Sequence, residues 1–158
     1  MAKEEKTNVM RILDKHKINY KDYRYGNGEA VSGDIVAQEI GKNPETVFKT
    51  LVTEGKSKNH YVFVVPVLKE LDLKKAAKAV GEKSITMIKS KELLPTTGYI
   101  HGGCSPIGMK KFFKTVINIT AEDCETIVFS AGKIGYQVEL SLEDLKKVID
   151  FTLEDITV

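Results

Sequence analysis

The stretch VFKTLVTEGKSKNHYVFVVPV, residues 47–67, decides the fold. Two runs rich in β-branched and aromatic residues, 47–53 and 60–67, flank the polar segment EGKSKN, a composition that predicts two strands joined as a hairpin. Both read as central strands. Alternation along the first puts Val47, Lys49, Leu51 and Thr53 on one face and Phe48, Thr50 and Val52 on the other. Lys49 therefore interrupts an apolar pattern on a strand expected to be covered on both faces. A buried ammonium without a partner costs too much, so Lys49 either snorkels to an edge or points its charge into a polar cavity.

Downstream, Asp72 can cap a helix in which Leu73, Ala76, Ala77 and Val80 recur at helical spacing before Gly81 stops it. Its other face carries Lys74, Lys75 and Lys78, which reads as a solvated face or a surface for a phosphate backbone. SITMIK (84–89) suits a strand, and KELL (91–94) a short helix ended by Pro95. Strands are expected at 112–119, 126–130 and 136–140, then a helix from Ser141 burying Leu142, Leu145, Val148 and Ile149. Upstream, residues 4–16 form an amphipathic pattern and YKDYRY (20–25) a strand whose Tyr23 and Tyr25 share a face. Ser32 or Asp34 can open a helix that Gly41 ends. The order favours a single α+β or mixed-sheet domain over a doubly wound nucleotide fold.

The segment GYIHGGCSPIGMKK, 98–111, is where chemistry concentrates. Four glycines, Pro106 and the side chains of His101, Cys104 and Ser105 fall within fourteen residues. Such a loop presents backbone amides, which can converge on one oxygen or phosphate. There is no Asp or Glu between Leu93 and Ala121, while Lys110, Lys111 and Lys114 follow the loop at once, so the local field favours an anion. A glycine-rich hairpin with a lysine edge remains the plain alternative.

Composition sets the bounds. The 158 residues fit one domain, long enough to bury about two-thirds of the unfolded chain's surface. No apolar run is long enough to span a membrane and the start, MAKEEKTNV, is charged, so a cytoplasmic protein is expected. Cys104 and Cys124 make no disulfide framework, and His16, His60 and His101 are scattered, so neither a metal site nor a cofactor is expected. The net charge of +2 and the presence of only Arg11 and Arg24 as arginines argue against sequence-reading nucleic-acid recognition. Loose backbone contact through lysines fits better. Walker loops, dinucleotide fingerprints and GxSxG elbows are absent from the sequence. Cys104, three residues after His101, could be a nucleophile, but nothing in the pattern supplies an orienting acid.

VFKTL (47–51), LDLKKAAKAVG (71–81), TGYIHGGCSPIGMKK (97–111) and SAGKIGYQVEL (130–140) resemble, in order and interval, the YbaK/EbsC family of free-standing bacterial deacylases. The resemblance covers nearly the whole chain, and its most specific motif is the GxxxP loop, Gly102 to Pro106, paired with Lys49. It implies one editing domain over residues 1–158, α+β with a mixed, mostly antiparallel sheet flanked by helices and related to the editing domain of prolyl-tRNA synthetases. It also implies that Cys-tRNA(Pro), and Cys-tRNA(Cys) beside it, are deacylated. By resemblance, loop residues Gly102, Gly103, Ser105 and Pro106 hold the carbonyl oxygen and Lys49 the terminal nucleotide. Tyr25, His101, Gly108 and Gln137 are expected beside the 3′ end of the aminoacyl-tRNA. Ile134 and Gln137 depart from the family's late segment, where cysteine-specific members carry Arg and Asp.

An aminoacyl ester is already activated, so positioning and oxyanion stabilisation, about 3 kcal/mol per donor, suffice without a protein nucleophile. The resemblance suggests that a cysteinyl substrate's own thiol attacks its carbonyl. Prolyl-tRNA synthetase is the partner the resemblance implies. Two other readings stand beside this one: a non-catalytic module binding aminoacyl-tRNA or a synthetase, and a cysteine-dependent hydrolase of a small ester or amide.

Overall fold

A computed structural model describes residues 6–158; residues 1–5, with the charged start and the head of the expected first helix, lie outside the described residues. The elements run α1 (Asn8–Lys15), β1 (Lys21–Arg24), α2 (Gly33–Ile40), β2 (Phe48–Gly55), β3 (His60–Pro66), α3 (Leu73–Val80), β4 (Ile85–Met87), α4 (Ser90–Thr97), β5 (Lys114–Asn118), β6 (Ile127–Ser130), β7 (Tyr136–Leu140), α5 (Leu142–Lys146) and β8 (Thr152–Glu154). The domain is α+β, with mostly antiparallel pairing; of the strand pairs among the described residues, β3·β5 and β5·β8 run parallel. None of the helices among the described residues is long and apolar enough to cross a membrane.

The hairpin forms as its sequence requires, in register from Phe48↔Pro66 to Glu54↔His60. Its strands lie at the centre of a five-stranded sheet ordered β4-β2-β3-β5-β8. Both faces are covered. Phe48 and Val52 join Val62, Val64 and Ile117 in the main core with α1, whereas Leu51 packs with Phe63, Val65 and Val116 beneath Ala76 and Ala77 of α3. Burial of apolar area at about 25 cal/mol per Å2 makes these two layers the principal source of stability.

The other strands form a second sheet, β1-β7-β6, where a single mixed sheet was the simpler expectation. Among the described residues a single isolated parallel bridge, Val47↔Val128, joins the two sheets, which also share the main core. Such a long-range junction has no local signal. α2 packs over it through Ala37, against Val47 and Val128.

Helix ends follow local chemistry. Asp72 accepts from the amides of Lys74 and Lys75, and Ser141 from that of Asp144. Ser32 occupies the N-cap position of α2, although its side chain makes no capping bond there. Pro95 does not end α4, contrary to expectation: the helix continues to Thr97 and stops at Gly98. The proline removes only the bond to the exposed Lys91 carbonyl, which water can satisfy, and the Thr97 hydroxyl donates to the Leu93 carbonyl at 2.8 Å. β8 was not expected at all. Three residues are too few for alternation to show; the strand exists because β5 offers it a parallel edge.

Candidate functional site

The geometry of the site follows from the junction between the sheets. β4 pairs with β2 only at Thr53–Gly55, so Phe48–Val52 has β3 on one side and no pairing strand on the other among the described residues. A cleft of about 540 Å3 opens along that edge. The segment 47–52 forms its floor, residues 31–34 at the head of α2 one wall, and Met87, Ile88, Ser90 and Leu93 the other. Tyr25, Ser130 and Gln137 come from the small sheet, and His101, Gly102 and Cys104 from the glycine loop.

Lys49 is half-buried in this cleft, and its side chain has neither hydrogen bond nor ion pair among the described residues. Its neighbour Thr50 also lines the cleft, and the Thr50 Oγ1 is the one buried side-chain polar atom without a partner among them. Leaving a hydroxyl so costs about 1–3 kcal/mol. Lys49 and Thr50 lie on opposite faces of the strand, yet both residues line this edge cleft without side-chain partners among the described residues. Asp34 and Glu70 bring carboxylates to the same lining.

The glycine loop divides. His101, Gly102 and Cys104 face the cleft; Gly103, Ser105, Pro106 and Gly108 are not among its lining residues. The Gly103 amide donates to the Ile100 carbonyl at 3.0 Å. Ser105 is fully buried, its Oγ accepting from the Ile107 amide at 3.3 Å. Pro106 and Gly108 line a smaller cleft of about 170 Å3 with Met109 and Phe113. By contrast the amides of Gly102 and Cys104 make no hydrogen bond among the described residues. Gly102 has φ +88°, and a Cβ there would come within 2.8 Å of the Ala30 Cβ, so only glycine lets the loop lie this close. Ile134 sits behind the loop, its amide 3.1 Å from where a Gly103 Cβ would be.

Burial pushes the Cys104 thiol up to about 12, so at neutral pH it is a thiol. No hydrogen bond joins it to His101 among the described residues. A nucleophilic cysteine needs a thiolate, and this environment opposes one. Burial, with Cys104 second, likewise pushes the Tyr99 hydroxyl up to about 12; that hydroxyl donates to the Ile107 carbonyl and pins the loop from behind.

A second cleft, about 600 Å3, lies beyond the small sheet, lined by Tyr20, Lys42, Thr126, Glu139, Ser141 and Asp144 among others. Here the polar groups satisfy one another. The buried Glu139 carboxylate accepts from the hydroxyls of Tyr23 and Thr126 and from Lys42 Nζ at 3.2 Å. Burial pushes this carboxyl up, but the three donors together overcome that and hold it below its ordinary value. No group of three His, Cys, Asp or Glu among the described residues is placed to hold a metal ion.

Sequence reasoning singled out Lys49, Tyr25, His101, Gly102 and Gln137, all of which line the cleft. It passed over Thr50, Ser130 and Asp34. Thr50 carried a readable signal, a hydroxyl on the Phe48/Val52 face of a covered strand. Ser130 and Asp34 carried none, since they reach the cleft only through the junction of the two sheets.

A cation, a buried unpartnered hydroxyl and two uncommitted amides, with no nucleophile and base in contact, are the chemistry of a site suited to a charged or carbonyl-bearing ligand. The sequence model of the aminoacyl-tRNA editing domain matches residues 30–148, and the chain belongs to that family. It is 44% identical over 155 residues, 98% of this chain and 94% of the relative, to an Enterococcus faecalis protein named provisionally as the Cys-tRNA(Pro)/Cys-tRNA(Cys) deacylase EbsC. Among solved structures it resembles one titled, again provisionally, a trans-editing enzyme for prolyl-tRNA synthetase, with TM-score 0.81, 18% identity and 98% and 99% of the two chains covered. The hypothetical protein APE2540 superposes with TM-score 0.86 at 17% identity, over 95% and 99%. At these identities the structural likeness speaks for the fold alone.

Proposed function

We propose that this protein is a trans-editing deacylase that releases cysteine from Cys-tRNA(Pro), with Cys-tRNA(Cys) as a second substrate. The observation that carries the reading is the cleft where Lys49, Thr50 and the amides of Gly102 and Cys104 all lack partners among the described residues. Lys49 holds a phosphate oxygen of the terminal nucleotide. The amides of Gly102 and Cys104 receive the ester carbonyl oxygen, whereas the Gly103 amide is already bound to the Ile100 carbonyl. Preorganised donors of this kind contribute about 3 kcal/mol each as negative charge develops. Gly103, Ser105, Pro106 and Gly108 then shape the loop from behind.

The cysteinyl thiol attacks its own carbonyl carbon. A carbon–sulfur bond forms, the ester carbon–oxygen bond breaks, and the thiol proton passes to the leaving ribose oxygen, so the tRNA departs with a free hydroxyl and the amino acid as a cyclic thioester that water opens. No protein nucleophile is required, in keeping with the protonated Cys104. Selectivity arises from this chemistry, because a pocket separates side chains differing by one methylene only about 10- to 200-fold. We further propose prolyl-tRNA synthetase as the partner that delivers the mischarged tRNA; co-purification that never recovers it would remove that part.

The test is release of labelled amino acid from Cys-tRNA(Pro), with Ala-tRNA(Pro) and Pro-tRNA(Pro) in parallel. Selective release of cysteine is expected. If nothing is released while aminoacyl-tRNA still binds, Gln137 in place of a carboxylate has left a binding module, and the deacylase reading fails.

A further inference from the structure

The two walls of the cleft carry opposite charge. Residues 83–114, which supply β4, α4 and the glycine loop, contain six lysines (Lys83, Lys89, Lys91, Lys110, Lys111 and Lys114) and one acid, Glu92, a balance of +5 in a chain whose total is only +2. Residues 26–41, which supply the α2 wall, contain Glu29, Asp34 and Glu39 and no lysine or arginine. The lysines of the basic wall are not neutralised locally. Lys42, Lys75, Lys146 and Lys147 pair with carboxylates at 2.9–3.2 Å, whereas Lys89, Lys91 and Lys110 pair with none among the described residues.

Placement makes this more than a surplus of charge. Lys89 and Lys91 are exposed and flank Ser90, which lines the cleft at the head of α4. Lys110 lies at the other end of the helix, where its stem passes over Gly98 and its ammonium reaches the Pro95 carbonyl at 3.3 Å. Eight residues of helix cover roughly 12 Å, the run of about three to four phosphates along one strand. Lys89 and Lys91 at one end of α4 and Lys110 at the other therefore give this wall a basic edge that begins at the mouth of the cleft.

We propose that the base-paired acceptor stem leaves the cleft across the β4–α4 wall, its phosphate backbone lying along Lys89, Lys91 and Lys110, and that the acidic α2 wall turns it away from the other side. This rests on the 3′ end of an aminoacyl-tRNA occupying the cleft. Phosphate contacts position without reading sequence, which suits a chain with two arginines. The lysine face of α3 is the competing surface: Lys75 there is held by Asp155 and the Thr157 carbonyl, but Lys74 and Lys78 are exposed, so they serve as the control.

The experiment uses a triple variant, Lys89→Ala with Lys91→Ala and Lys110→Ala, and a control, Lys74→Ala with Lys78→Ala. Binding of an uncharged RNA minihelix bearing the acceptor stem and a CCA end is followed by fluorescence anisotropy across a salt series. The triple variant is expected to weaken binding about 10- to 100-fold and to flatten the log–log salt slope by about 1 per lysine. The control should follow the wild type. Deacylation of full-length Cys-tRNA(Pro) should fall in parallel, with no matching fall on a cysteinyl-CCA trinucleotide that has no stem. Equal salt slopes in wild type and triple variant, a loss confined to the α3 control, or an equal loss on the trinucleotide each overturns this placement of the stem. If the wild type deacylates neither substrate, the enzyme reading fails, and the minihelix slopes still decide the placement.

Discussion

Two clefts of nearly equal volume, about 600 and 540 Å3, share strand β7, which sends Glu139 into one and Gln137 into the other. They differ in how their polar groups are satisfied. In the larger, Tyr23, Lys42 and Thr126 converge on the Glu139 carboxylate and complete it. In the smaller, Lys49 and Thr50 are left without partners among the described residues. Volume does not distinguish the two clefts; the completeness of their polar groups does. A self-satisfied cluster contributes to stability, and an unsatisfied one holds its interactions in reserve for a ligand.

The sharpest way to break this comparison is Lys49→Ala. Because the Lys49 side chain has no partner among the described residues, we expect kcat/KM on Cys-tRNA(Pro) to fall about 100- to 1,000-fold, on the scale of one lost transition-state contact, with an unchanged urea midpoint. A large stability loss instead would show that Lys49 belongs to the fold.

Glu139→Gln should behave in the opposite sense. Loss of the charge-assisted bonds to Tyr23, Thr126 and Lys42 should cost about 1–3 kcal/mol of stability by urea unfolding, while the folded fraction keeps its kcat. The pH dependence has a definite sign. Since the folded carboxyl lies below its ordinary value of 4.5, the unfolded chain takes up the proton first on acidification. The contribution is therefore present above about 4.5 and lost as pH falls through the folded value, so the midpoint should drop on that descent in wild type and flatten in the variant. Equal slopes would separate Glu139 from acid sensitivity.

Thr50→Val is a smaller test. Removal of an unpaired buried hydroxyl should leave stability neutral or slightly raised, and should cost about 5- to 10-fold in kcat/KM if the ligand uses it, near 1 kcal/mol. A destabilised variant would mean that the hydroxyl is satisfied in the fold. Cys104→Ala should move activity least, less than about threefold, since its thiol stays protonated at neutral pH. Abolished turnover would restore a cysteine nucleophile.

Much of this was legible in the sequence where interactions are local. The hairpin and the Asp72-capped α3 with its Gly81 stop follow from patterns spanning fewer than about twenty residues; the same alternation singles out Lys49 but leaves open whether it reaches an edge or a cavity. The GxxxP loop was found but not resolved into parts: its residues are adjacent in the chain, yet Gly102 and Cys104 face the cleft and Ser105 packs into the core. The division into two sheets was illegible, because Val47 and Val128 meet only in three dimensions. So was the pairing of β5 with β8, where three residues carry no period.

The pairing of β1 with β7 has a consequence in time. Glu54 and His60 meet across a short turn, whereas Tyr23 reaches Glu139 across 116 residues. Each doubling of a loop adds about 0.6 kcal/mol of closure entropy, so the longer closure carries roughly 2.5 kcal/mol more than the hairpin. Contacts of that range form late and slow the overall rate. The hairpin can therefore assemble early, while the wall bearing Tyr25 and Gln137 is completed near the end of folding. A refolding chain should regain its β-sheet signal before it regains the ability to hold a substrate.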